Sequence, residues 1–195
     1  MRDYERVEVR SAAELRDWLA AHHESSPGAW LITWKKGRGP HLPWAAVVRE
    51  LLCYGWIDST GRRVDDDRTS LLVCPRRPGS GWSRVNKAHL EVLRAEGRLQ
   101  PAGQAAIDRA VADGSWVRLD QVETLTEPED LRRALDAVPA AREQWDAFPR
   151  SARRAILEWI SSARRASTRD ARVATTVTEA AAGRRANQWR PPADR

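Results

Sequence analysis

The stretch that decides the fold is Pro43–Lys87, which reads PWAAVVRELLCYGWIDSTGRRVDDDRTSLLVCPRRPGSGWSRVNK. Its first part predicts a helix up to Tyr54, because proline suits the first helical position and apolar residues then recur every three or four positions. Two short β-prone segments follow, Gly55–Asp58 and Leu71–Cys74, with a run of three aspartates between them. A helix beside a hairpin of this kind is typical of an α+β layer.

The hairpin leads into a segment rich in proline and glycine, Pro75–Trp82, which we call the elbow. A new helix begins directly after it, at Ser83, and unpaired backbone amides gather at such a helix start. A phosphate or carboxylate could bind there, with the elbow arginines as bidentate donors and its tryptophan as a stacking surface. The predicted ligand-binding residues are Trp44, Trp56, Asp58, Arg76, Arg77, Ser80, Trp82, Ser83 and Asn86.

A purely structural interpretation of the same residues stays open. Ser83 would then cap the helix and Trp82 would fill the core, while the two elbow arginines would pair with the acidic turn Asp65–Asp67. Asp58, an unusual residue within a strand, would either orient an arginine for a ligand or form a salt bridge that fixes the sheet register. A third role for Asp58 is that of a general base in an enzyme.

The rest of the chain supplies further elements on both sides of this stretch. Alternating residues predict strands near Val7 and over Ala29–Lys36, and several helices with clear proline, serine and glycine boundaries follow the elbow. We therefore expect an α+β fold with a small antiparallel sheet, helices packed on one face, and a helical C-terminal subdomain. The expected divisions are a core domain over 1–116, a linker over 117–126, the helical subdomain over 127–183 and a disordered tail over 184–195.

Positive charge is concentrated at one end of the 195-residue chain. The net charge is +6, and residues 150–195 alone hold eleven arginines against four acidic residues. An alternative function therefore belongs to this end, namely contact with nucleic-acid phosphates by a helical arginine stripe, although most charge runs are only solvated helix faces. The arginines assigned to that alternative are Arg153, Arg154, Arg164, Arg165, Arg169 and Arg172.

The sequence lacks the motifs that are typical of nucleotide binding, nucleophilic catalysis and zinc binding. No nucleotide-binding glycine loop, nucleophile elbow or zinc motif occurs, and the two cysteines, Cys53 and Cys74, have no base or metal ligand at a suitable spacing. We expect no catalytic residue, no metal and no cofactor. A charged N-terminal segment and the absence of a long apolar run predict a cytoplasmic protein that does not insert into membranes.

Two pieces of the sequence, used together, carry a resemblance to a known family. One is Leu51–Asp58, which contains Gly-Trp-Ile-Asp, and the other is the elbow with the Ser83 and Asn86 that follow it. With Trp30–Gly37, the Gly97–Gly103 segment and the helix Ile156–Ser162, the chain resembles the YdeI/OmpD-associated, or bacteriocin-protection, family. The resemblance implies an association with tolerance to bacteriocins, other antimicrobials or envelope stress, and it implies no reaction and no catalytic residues.

The residues and the resemblance together favour a non-catalytic binding protein. The expected ligand is a small molecule or peptide with an anionic or planar group, held between Trp44, Trp56 and the elbow. Sequestration of an antimicrobial requires affinity and no chemistry, which agrees with the missing catalytic motifs.

Overall fold

A computed structural model describes residues 4–188 and divides the chain into two compact units, Met1–Trp116 and Val117–Arg195. The first unit contains a four-stranded sheet and four helices within the described residues. Its elements are β1 (Glu5–Glu8), α1 (Ala12–His22), β2 (Ala29–Trp34), α2 (Trp44–Cys53), β3 (Trp56–Arg63), β4 (Arg68–Pro75), α3 (Arg84–Ala95) and α4 (Pro101–Ala112).

The predicted α+β class is confirmed, and the sheet is mixed rather than wholly antiparallel. The strands lie in the order β1-β2-β4-β3, with antiparallel pairing of β2 to β4 and of β4 to β3. β1 pairs with β2 in parallel. The connection through α1 returns the chain to the end of the sheet where β1 begins, so β2 runs in the same direction. One face of the sheet packs against α1 and α2 around Leu31, Leu51 and Val73, which are almost fully buried.

Helix α2 forms where the apolar spacing predicts it, and Gly55 ends it. Gly55 has a φ of +71°, and a Cβ built there would lie 2.7 Å from the Cβ of Ala106. Only glycine therefore allows both the left-handed turn and the close approach of α4. The turn leads directly into β3, which places Asp58 beside the first turn of α2.

The hairpin of β3 and β4 is longer than its apolar pattern indicates. Asp65 organises the turn, since its Oδ1 accepts hydrogen bonds from the backbone N–H groups of Asp67 and Arg68 at 3.0 and 2.7 Å. This local bonding lets polar residues on both sides continue the ladder beyond the apolar segments. A register shift between Asp58 and Gly61 marks a bulge in β3.

The second unit is helical and has its own apolar core. Leu131, Leu135, Trp145, Ile156 and Ile160 are all completely buried in it. Among the residues described, its helices are α5 (Asp120–Glu123), α6 (Glu129–Asp136), α7 (Pro139–Ala147), α8 (Arg150–Ser161) and α9 (Ala166–Ala181). Helices α6 to α9 lie within residues 127–183, the segment that the sequence assigns to a helical subdomain.

The segment expected to be a linker, residues 117–126, differs from its prediction. It contains the single-turn helix α5, and Leu119 and Val122 contribute to the buried core of the second unit. The apolar residues are too few and too irregular to show helical periodicity, so only packing against α8 reveals their role. The predicted disordered tail, 184–195, falls largely outside the described residues, but Ala186 is buried and Arg184 pairs with Glu179.

Within residues 4–188, no helix is both long enough and apolar enough to cross a lipid bilayer.

Candidate functional site

The elbow joins the end of β4 to the start of α3, and its last residues serve that helix. The hydroxyl of Ser83 accepts a hydrogen bond from the backbone N–H of Asn86 at 3.2 Å, which is a standard N-cap. Ser83 and Asn86 therefore have a structural role that accounts for their spacing, and neither lines a cavity of the elbow.

The tryptophan of the elbow is covered rather than open. Trp82 is only 2 % exposed, and the guanidinium of Arg76 lies 3.8 Å from the centre of its ring. This cation–π contact occupies the ring face that was expected to stack on a ligand. The interpretation of Trp82 as a stacking surface for a ligand is thus corrected, because its large apolar area is used in the core of the first unit.

Arg76 is itself buried, with a relative exposure of 7 %. Its Nη2 donates a hydrogen bond to the backbone oxygen of Gly81 at 3.1 Å, while Nε and Nη1 are buried without a hydrogen-bond partner. Burial lowers the pKa of Arg76 to about 10, and the negative charge of Asp58 partly offsets this effect. The group therefore stays charged at neutral pH.

The carboxylates of the acidic turn Asp65–Asp67 do not form ion pairs with the arginines of the elbow. Asp65 binds Arg68 at 2.7 Å, and Asp66 binds Arg63 on the same hairpin. Local arginines satisfy these carboxylates, so the proposed pairing of the turn with Arg76 and Arg77 does not form. Arg77 is exposed, and Ser80 is half-buried beside it.

Trp56 is a core residue and is separated from any open surface. It is 1 % exposed, and its indole N–H donates to the backbone oxygen of His23 at 3.3 Å. Its ring also packs edge-on against Trp18, with ring centres 5.7 Å apart. Trp56 was expected to line the ligand site, and the structure places it inside the first unit instead.

A different part of the first unit offers the room that the elbow lacks. Trp44 is 56 % exposed and stands at the first turn of α2, beside a cleft of about 380 Å³. A cleft of this volume can hold a small organic molecule or a short peptide segment. We call it the Trp44 cleft, and it is lined by Leu31, Thr33, Trp34, Lys35, Lys36, His41, Leu42, Trp44, Val47, Gly61, Thr69, Ser70 and Leu71.

The exposed indole of Trp44 is fixed by Asp58. The indole N–H donates a hydrogen bond to Oδ2 of Asp58 at 3.1 Å. This bond uses the edge of the ring and leaves the π faces without a polar partner. The sequence analysis assigned both residues to a ligand site, and the structure brings them into direct contact.

The exposed lining of the Trp44 cleft is mostly apolar, although the hydroxyl-bearing residues Thr33, Thr69 and Ser70 also line it. Lys36 and His41 are exposed there, while the ammonium of Lys35 donates to the backbone oxygens of Asp65 and Asp66 at 2.9 and 3.0 Å. Nδ1 of His41 lies 2.7 Å from the backbone oxygen of Trp34. Because a carbonyl oxygen only accepts hydrogen bonds, Nδ1 of His41 is the donor in this contact. An apolar floor with a cationic rim suits a planar or apolar ligand that has an anionic end.

The arginines of the C-terminal unit are largely engaged in internal contacts. Arg154 pairs with Glu123 at 3.0 Å, and Arg169 pairs with Asp130. Arg172 donates to the backbone of Trp159 and lies over its ring. Of the six arginines assigned to nucleic acid, Arg153 is half-buried, and Arg164 and Arg165 are exposed. Three of the six arginines in the predicted stripe therefore have intramolecular partners.

The two thiols are unsuited to nucleophilic chemistry. Burial raises the pKa of Cys53 to about 11, and it also raises the pKa of Cys74. Both are free cysteines whose reactive thiolate forms are suppressed at neutral pH. Within residues 4–188, no cluster of histidine, cysteine and acidic side chains has the arrangement of a metal site.

Sequence reasoning missed several residues around both cavities. Two of the three lysines in the chain, Lys35 and Lys36, line the Trp44 cleft, and this rarity is a signal that could have drawn attention to the end of β2. Ser115 and Arg109 line the elbow cavity with Arg76. Arg109 lies 33 residues and Ser115 lies 39 residues further along than Arg76, and nothing in their local sequence indicates this proximity.

The fold defines the class of the chain: an α+β unit with a four-stranded mixed sheet, followed along the sequence by a helical unit. No curated protein and no solved structure matches the chain. Residues 7–106 match the family model described as Domain of unknown function (DUF8412), and the chain belongs to that family. Both sequence pieces that carried the expected resemblance up to Asn86 lie within these residues.

The C-terminal unit matches a second family model, described as Bacteriocin-protection, YdeI or OmpD-Associated, over residues 124–183. This match confirms the resemblance to the YdeI/OmpD-associated family for that segment, which includes the sequence piece Ile156–Ser162. Its name associates the segment with bacteriocin protection.

Proposed function

We propose that the chain is a non-catalytic binding protein that contributes to tolerance of bacteriocins or other antimicrobials by sequestering a small molecule or peptide. The Trp44 cleft is the proposed binding site. The bacteriocin-protection name of the family model over the C-terminal segment supports a role in tolerance. The Trp44 cleft of the first unit supports ligand binding as the means.

One observation carries the proposal: a large aromatic side chain is held in solvent next to an apolar cleft. Trp44 is 56 % exposed, and Asp58 restrains its ring through the 3.1 Å hydrogen bond. An exposed tryptophan contributes little to folding, whereas an exposed ring held in one orientation can stack on a planar ligand at a small cost in conformational entropy.

The lining of the cleft indicates the chemical class of the ligand. Leu31, Leu42 and Leu71 provide an apolar floor, and the ammonium groups of Lys35 and Lys36 are the cations at this site. A ligand with an aromatic or aliphatic body and one anionic end would satisfy both parts. This requirement fits small amphipathic antimicrobials and the acidic or carboxylate-bearing segments of peptides.

A dye of that class tests the proposal directly. 8-Anilinonaphthalene-1-sulfonate has a planar aromatic body and one sulfonate, and its fluorescence rises when it leaves water. We expect saturable binding to the native chain and a dissociation constant about tenfold higher in Trp44→Ala, because ring stacking is lost. Val92→Ala serves as the matched control, since it also truncates an exposed apolar side chain of the first unit, on α3.

The dye also binds loosely packed states, so each variant is first compared by near-ultraviolet circular dichroism. Equal dye affinity in Trp44→Ala and the native chain, with unchanged folding, would remove the cleft from the site. The same variants are then expressed in a sensitive bacterial host and exposed to a bacteriocin panel. Protection by the native chain and by Val92→Ala, together with its loss in Trp44→Ala, is the expected result.

A further inference from the structure

A buried carboxylate in the first unit fixes two arginine side chains. Glu50 is 2 % exposed, and its two oxygens accept hydrogen bonds from Nε and Nη2 of Arg16 at 3.1 and 3.0 Å. Nη2 of Arg98, in the connection between α3 and α4, donates to the same carboxylate. Both guanidinium groups are thereby held in place by one buried residue of α2.

The charges around this carboxylate do not balance. The adjacent Glu96 binds Arg49 with both oxygens, at 2.9 and 2.8 Å, and reaches Nη1 of Arg98 at 3.4 Å. Asp17, the exposed neighbour of Arg16 in α1, forms no ion pair among the described residues. Three guanidinium groups therefore share two carboxylates, and the cluster has an excess of one positive charge.

A cavity of about 270 Å³ lies against the two guanidinium groups that Glu50 holds. Its walls are α1, the C-terminal end of α2 and the connection between α3 and α4, which all belong to the first unit. The side chains of Arg16 and Arg98 remain 47 % and 29 % exposed, although both are bound to Glu50. The volume is close to the lower end of the range for small-ligand sites, and both arginines are accessible to a ligand.

Polar atoms without a protein partner occur on several residues that line this cavity. Glu50 and Glu96 leave Nη1 of Arg16 and Nε of Arg98 without a hydrogen-bond acceptor among residues 4–188. The hydroxyl of Tyr54 and Oε1 of Gln100 also have no hydrogen-bond partner in this part of the chain. The cavity thus offers guanidinium donors for an anion and two further groups for hydroxyls of the same ligand.

We propose that this cavity binds a small hydroxylated molecule with a single carboxylate, held by Arg16 and Arg98. One carboxylate matches the excess charge of the cluster, and its two oxygens suit the planar donors of a guanidinium group. A doubly charged phosphate would leave a negative charge in excess. Glu50 is a positioning residue, because it orients both guanidinium groups before the ligand arrives. The site shares no lining residue with the Trp44 cleft and does not depend on the function proposed for that cleft.

Gluconate is a suitable probe, because it has one carboxylate and several hydroxyls but no aromatic or apolar body that would favour the Trp44 cleft. Two-dimensional amide NMR spectra of the full chain detect weak binding and locate it. We expect saturable shifts at the backbone amides of Tyr54, Gly97 and Gln100, while the indole N–H signal of Trp44 stays in place. Glucitol, which has a similar hydroxylated chain but no carboxylate, should cause no such shifts.

Three variants connect the binding to the named side chains. Arg98→Lys keeps the charge but loses the planar donor set, and we expect the affinity for gluconate to fall about tenfold. Tyr54→Phe removes only a hydroxyl and should lower the affinity about threefold without disturbing the fold. Arg84→Lys is the matched control, because Arg84 is an exposed arginine of α3 that does not line the cavity, and it should leave the affinity unchanged.

The amide spectrum of each variant shows whether it is folded. Shifts centred on the cavity that weaken in Arg98→Lys and Tyr54→Phe, but not in Arg84→Lys, support the site. The proposal is overturned by a lack of saturable shifts, by shifts centred elsewhere or by equal shifts with glucitol. Tighter binding of inorganic phosphate than of gluconate, or equal gluconate affinity in all folded variants, would also overturn it.

Discussion

Both the elbow and the Trp44 cleft place a charged side chain against an indole ring. The charge has the opposite sign in the two places and contacts a different part of the ring. In the elbow, a guanidinium lies over the face of Trp82 at 3.8 Å, and the ring is 2 % exposed. In the cleft, a carboxylate binds the edge of Trp44 at 3.1 Å, and the ring is 56 % exposed. A cation occupies the π face of an indole, whereas an anion binds only its N–H.

The comparison shows why a tryptophan beside a charge does not by itself define a ligand site. The sign of the charge decides which part of the ring remains available. Trp82 is covered by its partner, while Trp44 is oriented by its partner and remains 56 % exposed. The indole of the elbow is therefore closed to a ligand, whereas the indole of Trp44 stands beside an open cleft.

The largest expected effect separates the two tryptophans by stability. Trp82→Ala removes a fully buried side chain, so we expect the free energy of unfolding to fall by about 3–5 kcal/mol. Trp44→Ala removes one exposed hydrogen bond and little packing, and we expect a loss below about 1 kcal/mol. Urea denaturation of both variants measures these values. Similar losses at both positions would contradict the assignment of core and surface roles.

A second prediction contrasts the unpaired charge of Arg76 with a paired one in the C-terminal unit. Burial opposes ionisation of Glu127, but hydrogen bonds from Arg142 at 2.9 Å and Trp145 at 2.7 Å outweigh it and lower its pKa. Because the folded pKa lies below the unfolded value, the stabilisation is complete above the unfolded pKa. It is then lost as pH falls through the folded pKa.

Glu127→Gln should therefore cost about 1–3 kcal/mol at neutral pH and flatten the acid dependence of stability below about pH 4.5. Calorimetry of the full chain across this range provides the measurement, with Glu143→Gln as the control because Glu143 forms no ion pair among the described residues. An identical acid dependence in Glu127→Gln and the native chain would show that this carboxylate does not couple folding to pH.

The smallest expected effect comes from Asp58, which borders both regions. Asp58→Asn keeps an oxygen that can accept the hydrogen bond from Trp44, so dye affinity at the cleft should change less than about twofold. Dye titration measures this response. A large loss of dye affinity would mean that the charge of Asp58, and not its orienting bond, matters to the cleft.

Much of the fold follows from local patterns that the sequence displays openly. The apolar spacing of α2, the glycine that ends it and the serine cap of α3 each depend on a few adjacent residues. The parallel pairing of β1 was not predictable in this way, because a short polar strand has no pattern that distinguishes its direction. The helix α5 was missed for a related reason, since its buried residues acquire their partners only from α8.

The sequence by itself determined the α+β class, the main helices and the elbow, because backbone geometry and apolar periodicity are local properties. It also placed Trp44 and Asp58 among the candidate residues. Only the tertiary structure decided which tryptophan faces solvent and which guanidinium lacks an acceptor. Burial and pairing depend on residues that are far apart in the sequence but close in the fold. Arg76 and Ser115 are an example, because they line one cavity and no local sequence pattern indicates that they do.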